Sequence, residues 1–130
     1  MSDDPTLGAI KVLHIEDDPS VTRSVARLLS LHGYEVISAA SGDQAIQLVE
    51  DGLIPELILS DYHLPCEMTC DQLITEIETR LGFKPPTIVL GSVSRVESER
   101  MRSVAGRVFA KPADMDVVFR EIVSLLGTQV

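Results

Sequence analysis

Positive charge is scarce in this sequence. Against 20 Asp and Glu there are 11 Lys and Arg, which leaves a net charge of −9 and a pI near 4.6. A phosphate backbone needs cations to neutralise it, so direct nucleic-acid binding is not expected of this chain. Clustered acids would instead favour a bound cation. Cysteine is scarce as well, and Cys66 and Cys70 do not make a disulfide framework. No apolar run approaches the length of a membrane span, and Met1-Ser2-Asp3-Asp4 lacks the basic start of a signal peptide. These absences point to a cytoplasmic chain with no membrane partner. Internal repeats, linkers and low-complexity tracts are missing too. What remains is 130 residues, 45% hydrophobic and 24% charged, suited to one globular domain with one good core.

The run Leu57-Ile58-Leu59-Ser60-Asp61-Tyr62 organises the reading. It is short, aliphatic, preceded by Pro55-Glu56 and followed by Pro65, as suits a strand buried on both faces of a parallel sheet. Ligands of open α/β sheets lie beyond the carboxyl ends of the strands, where Asp61 falls. Residues 1–9 read as a flexible arm, and residues 10–127 as the domain. Lys11 to Ile15 forms a first strand that ends on Glu16-Asp17-Asp18, and Pro19-Ser20 opens a helix. Val21, Val25, Leu28 and Leu29 recur at helical spacing up to a stop at Gly33. Tyr34 to Ala39 is a second strand. Ser41-Gly42-Asp43-Gln44 resembles a capping box, opening a helix with Ala45, Leu48 and Val49 inward and Gly52 as its stop. A third helix carries Leu73, Ile74, Ile77 and Leu81. Thr87 to Leu90 is a fourth strand, ending on Gly91-Ser92, and a charge-rich fourth helix is expected near residues 96–104. Arg107 to Ala110 is a short fifth strand ending on Lys111-Pro112. A last helix shows Val118, Ile122, Leu125 and Leu126, with Gly127 at its end. Strand and helix alternate throughout, which predicts a parallel sheet with helices on both faces.

If the sheet is parallel, the strand ends converge on one edge. Glu16, Asp17, Asp18, Asp61, Gly91, Ser92 and Lys111 then meet there. Carboxylates so close repel one another and need a counterion, and hard oxygen ligands suit Mg²⁺. A carboxylate can act as the nucleophile toward a phosphoryl group, and a lysine across the pocket supplies a point charge for it. Each residue has an ordinary explanation when taken alone. An acid triplet after a strand is usually a solvated helix start, and an isolated Asp usually caps a turn. Their joint placement at the ends of the first, third and fifth strands is what argues for chemistry.

These pieces, in this order, resemble the receiver domain of two-component response regulators over about residues 10 to 127. The matching segments are Val12-Leu13-His14-Ile15-Glu16-Asp17-Asp18-Pro19, Ala40-Ser41-Gly42-Asp43-Gln44-Ala45, Leu59-Ser60-Asp61-Tyr62-His63-Leu64-Pro65 and Phe109-Ala110-Lys111-Pro112. The resemblance implies a flavodoxin-like sheet of strand order 2-1-3-4-5 with Asp61 as the phosphoacceptor. It implies Mg²⁺ held by Asp17, Asp61 and the backbone carbonyl of His63, with Glu16 helping through water. It implies Lys111 on the phosphoryl oxygen, and a histidine kinase or histidine phosphotransfer protein as donor. Such a module phosphorylates itself and turns over no external substrate, so it is not an enzyme in the ordinary sense. Its signal is expected to leave through the surface of the fourth helix and fifth strand, toward a protein partner or an attached domain missing from this chain.

The match departs in places. Glu16 stands where the family usually has Asp, and the loop Pro65-Cys66-Glu67-Met68-Thr69-Cys70 carries cysteines where the family has glycines. At the end of the fourth strand the family hydroxyl position holds Gly91, with Ser92 as the candidate substitute after a shift of one residue. The aromatic switch position holds Val108, and Phe109 follows one residue late, facing the other side of the sheet. The Tyr-His-Leu-Pro loop and the displaced aromatic are similar to receivers attached to hybrid histidine kinases. Two other functions stay open: a degenerate receiver that only binds a partner, and a Mg²⁺-dependent phosphohydrolase using Asp61. The latter usually needs a second acid two residues on, where this chain has His63. A nucleotide or flavin domain is disfavoured, because no Gly-rich or Ser/Thr-rich phosphate loop follows the first strand. His63, Cys66 and Cys70 fit no common zinc spacing, and His14, Met68 and Met101 read as packing residues.

Overall fold

Aliphatic runs bounded by turn residues supply the strands. The computed structural model describes residues 9–64, 67–91, 107–109 and 115–126. Its strands are β1 (Lys11–Ile15), β2 (Glu35–Ala39), β3 (Leu57–Asp61), β4 (Thr87–Leu90) and β5 (Arg107–Phe109), joined in one sheet of order β2-β1-β3-β4-β5. Every pairing is parallel, as the alternation of strand and helix requires. All of β3 is buried and β4 likewise, consistent with central strands covered on both faces. The expected fourth helix, near residues 96–104, lies outside the described residues, as do Ala110 and residues 1–8 of the expected arm.

Alternate side chains divide between two cores. Leu13, Ile15, Ile58 and Val89 pack with Ala45, Ile46 and Val49 of α2 (Gly42–Glu50) and with Leu73, Ile74 and Ile77 of α3 (Cys70–Leu81). Val12, Leu57, Leu59, Ile88 and Leu90 face the other way, against Val25 and Leu29 of α1 (Pro19–Ser30) and Val118 and Ile122 of the C-terminal helix (Met115–Leu126). The period of two along each strand therefore feeds helices on opposite faces.

The helix ends follow local chemistry. Asp18 caps α1, its Oδ1 accepting from Ser20 N–H at 2.9 Å, and Pro19 fills the first helical position. Ser41 Oγ accepts from Gln44 N–H at 3.1 Å to cap α2. The return bond of Gln44 goes one residue earlier than the capping-box motif expects, to Ala40 N–H. Arg80 on α3 reaches Glu50 on α2 at 2.7 Å as well as Glu76 at 2.6 Å, tying the two helices at the surface.

Two expectations need correction. Tyr34 does not open β2: its N–H donates back to Leu29 O at 3.1 Å, closing the end of α1, and its side chain is buried in the second core. Leu125 is not part of the buried stripe of the last helix but is 37% exposed, whereas Leu126 packs against the core.

Candidate functional site

The carboxyl edge of the sheet gathers acids from two neighbouring strands. β1 and β3 are paired in register with Ile15 beside Ser60, so Glu16, directly after β1, lies next to Asp61 at the end of β3. One carboxylate oxygen each from Glu16, Asp17 and Asp61 falls within 4.8 Å of the others. Among the described residues no other group of metal-ligating side chains comes together in this way. Glu16 is 4% exposed and Asp61 8%, so both sit at the base of the site while Asp17 is open to solvent.

The acid triplet divides by role. Asp18 is the helix cap described above, which is the ordinary reading of an acid at that place. Glu16 is anchored at both ends: its N–H donates to Ala39 O at 2.9 Å, and its Oε2 accepts from Asp18 N–H at 3.2 Å. Thr22 braces the turn by donating its hydroxyl to Asp18 O at 3.1 Å. The turn thus points one acid into the helix and leaves the other two for the sheet edge. On the β2 side, Glu16 and Asp17 also line a hollow of about 260 Å³ with Thr22, Arg23, Ser38 and Gln44.

Asp61 is held by the turn that follows it. His63 N–H donates to its Oδ1 at 3.4 Å, and the carbonyl of Asp61 accepts from Ser60 Oγ at 3.0 Å. Tyr62 N–H donates to Leu90 O at 2.7 Å, extending the β3–β4 ladder one step past the strands. The rings of Tyr62 and His63 meet edge to face, with centroids 4.9 Å apart. Cys70, the first residue of α3, lies beneath: its Sγ is 3.9 Å from Asp61 O, and burial pushes its thiol up to about 12. That thiol is a packing group and not a nucleophile. It also lines a cavity of about 250 Å³ with Tyr62, His63, Leu64, Met68, Thr69 and Leu73.

The end of β4 is unlike the rest of the edge. Gly91 is buried, and a Cβ placed on it would stand 2.6 Å from Tyr62 Cβ. No side chain, hydroxyl-bearing or otherwise, fits there without moving backbone. Sequence reasoning placed Gly91 among the switch candidates but missed Tyr62. An isolated glycine at a strand end was the available signal, because it often marks a close approach. Val108 is half-buried against the α2–α3 core. Ser92, Cys66 and Lys111 lie outside the described residues, as does the side chain of Phe109. His14 is buried in β1, as a core histidine should be.

A parallel sheet of this order, with carboxylates from adjoining strand ends at its carboxyl edge, defines a doubly wound α/β domain with an acidic site. The chain belongs to the response regulator receiver domain family, which matches residues 12–122. Over 108 residues it is 28% identical to the regulatory protein AtoC of Escherichia coli, covering 82% of this chain and 23% of AtoC. The hybrid signal transduction histidine kinase D of Dictyostelium discoideum is 27% identical over 118 residues, 88% of this chain and 7% of the kinase. The chain therefore spans only a small part of these relatives. In fold it is similar to the Vibrio cholerae chemotaxis protein CheY4, with a TM-score of 0.79 at 24% identity, covering 91% of this chain and 99% of that one. Receiver domains bind Mg²⁺ at an acidic pocket and meet histidine kinases or phosphotransfer proteins. The donor set here fits such an ion, since three hard oxygens converge from short, braced turns. No helix among the described residues is long and apolar enough to cross a membrane.

Proposed function

We propose that this chain is a phosphoacceptor module in which Asp61 takes a phosphoryl group from the phosphohistidine of a histidine kinase or phosphotransfer protein. The observation that carries the reading is the convergence of Glu16, Asp17 and Asp61 within 4.8 Å at the sheet edge. An Asp61 carboxylate oxygen attacks phosphorus as the P–N bond of the donor breaks, and the donor imidazole leaves with the electron pair. Mg²⁺, when bound, neutralises the charge that builds between attacking carboxylate and phosphoryl oxygens. Asp17, Asp61 and the carbonyl of His63 would hold it, with Glu16 helping through water. Lys111 takes a phosphoryl oxygen. The chain turns over no external substrate, and its signal passes through β5 and the segment between β4 and β5 to a protein partner or an adjoining domain.

The test is intact mass after incubation with Mg²⁺ and acetyl phosphate or phosphoramidate. Wild type should gain one phosphoryl group, whereas Asp61→Asn, or wild type without Mg²⁺, should gain none. A second reading, a degenerate receiver that only binds a partner, draws on Gly91, where the structure has neither a hydroxyl nor room for one. No adduct, together with amide spectra unchanged by beryllofluoride and Mg²⁺, would decide for that reading.

A further inference from the structure

The contact between the end of β4 and the turn after β3 is closer than any ordinary pair of residues allows. Asp61 pairs with Leu90 in the β3–β4 register, so Tyr62 and Gly91 come next to each other one step beyond. The bond from Tyr62 N–H to Leu90 O, at 2.7 Å, draws the turn against β4. A Cβ on Gly91 would then meet Tyr62 Cβ at 2.6 Å, while its distances to Tyr62 N and Cα, 3.5 and 3.6 Å, are ordinary. Among the described residues the conflict is thus with one atom, and that atom sits at the root of the side chain, where no rotamer change can remove it. Relief must come from backbone, and the backbone that would move is Tyr62-His63. Its next peptide group is the one whose N–H reaches Asp61 Oδ1, at 3.4 Å.

We propose that Gly91 is a positioning residue for the cation site: having no side chain, it lets β4 close on Tyr62 and so fixes the Tyr62-His63 turn beside Asp61. The inference rests on the Mg²⁺-binding reading above. Gly91 itself touches no ligand, and its effect runs through Tyr62. A side chain at position 91 should loosen the cation site as the loss of a supporting contact does, by about ten- to a hundredfold in Mg²⁺ affinity.

The test is a double-mutant cycle on the unphosphorylated protein, with Mg²⁺ titrated while the amide signals of Tyr62 and His63 are followed by NMR. Gly91→Ala should weaken Mg²⁺ binding by about tenfold or more. In the Tyr62→Gly background, which removes the one conflicting atom, adding Gly91→Ala should change affinity by no more than about twofold. Gly82→Ala, far from the site, controls for a general loss of stability and should bind Mg²⁺ as wild type does. If Gly91→Ala does not fold, the comparison of Tyr62→Gly with the double variant decides, and a large further loss of affinity there overturns the proposal. Wild-type affinity in a folded Gly91→Ala also overturns it, leaving the Mg²⁺ reading intact. Absence of Mg²⁺ binding in wild type removes both.

Discussion

Glu16 and Asp61 are buried carboxylates in one cluster with the exposed Asp17, their oxygens within 4.8 Å of one another. Removing one of the acids should therefore relieve repulsion as well as remove a ligand. Asp17→Asn is expected to abolish the Mg²⁺-dependent rise in melting temperature while leaving the metal-free protein as stable as wild type or more so, which a thermal melt with and without Mg²⁺ measures. Cys70 gives a second expectation at this scale. With its thiol pushed up to about 12 by burial, it should resist iodoacetamide at pH 8 in the native state and react in urea, as peptide mapping would read. Glu78 is the third. Burial raises its pKa, with Lys84 pulling the other way, so the folded state holds this proton more tightly than the unfolded chain. Stability is then lost as pH rises through the window between the unfolded and folded values. Glu78→Gln should melt above wild type at pH 7, by less than about 1 kcal/mol, and the gain should vanish as pH falls below the ordinary Glu range. The acids of the site were legible in the sequence because Glu16 and Asp61 each close a short aliphatic run. Asp18 was not separable from its neighbours, since a cap and a metal ligand are the same residue type until the turn is seen. The reason for Gly91 was not legible either, because it lies in the position of Tyr62 across the ladder.

Among the elements, the strands show how far pattern alone reaches. β1, β3 and β4 have the bounds the apolar runs suggest, because Pro and Gly punctuate them and burial on both faces leaves no other use for such runs. The last helix shows where pattern stops. Leu125 and Leu126 fall on either side of the line through Val118 and Ile122, so helical periodicity does not choose between them, and packing does. Caps are where single substitutions should register. Ser41→Ala removes the acceptor for Gln44 N–H and is expected to cost about 1 kcal/mol in urea denaturation. Gly82 ends α3 in the left-handed region, at φ 81°, with open space around it. Gly82→Ala should cost about 1–2 kcal/mol through backbone conformation alone. Gly91, whose backbone is not left-handed, would lose stability through collision instead.

For the whole molecule, a net charge of −9 on 130 residues makes cations general stabilisers. Specific binding must exceed that background. Mg²⁺ should raise the melting temperature more than sodium chloride at equal ionic strength, reaching about 2.7 kcal/mol of added stability at a hundredfold excess over its dissociation constant. Equal effects of the two salts would argue against a site. The division of the core has a consequence for how the chain is made. Among the described residues, the α2–α3 side draws its fully buried side chains from Leu13 to Val89, with Val108 packed against them, so it forms before the C-terminal helix is made. The other side also needs Val118 and Ile122 of the C-terminal helix, which emerge after those. During synthesis, the face carrying Leu57, Leu59, Ile88 and Leu90 therefore lacks Val118 and Ile122 until the C-terminal helix is made. A ribosome stalled after β5 would hold a half-closed sandwich whose wet, sticky face invites a chaperone.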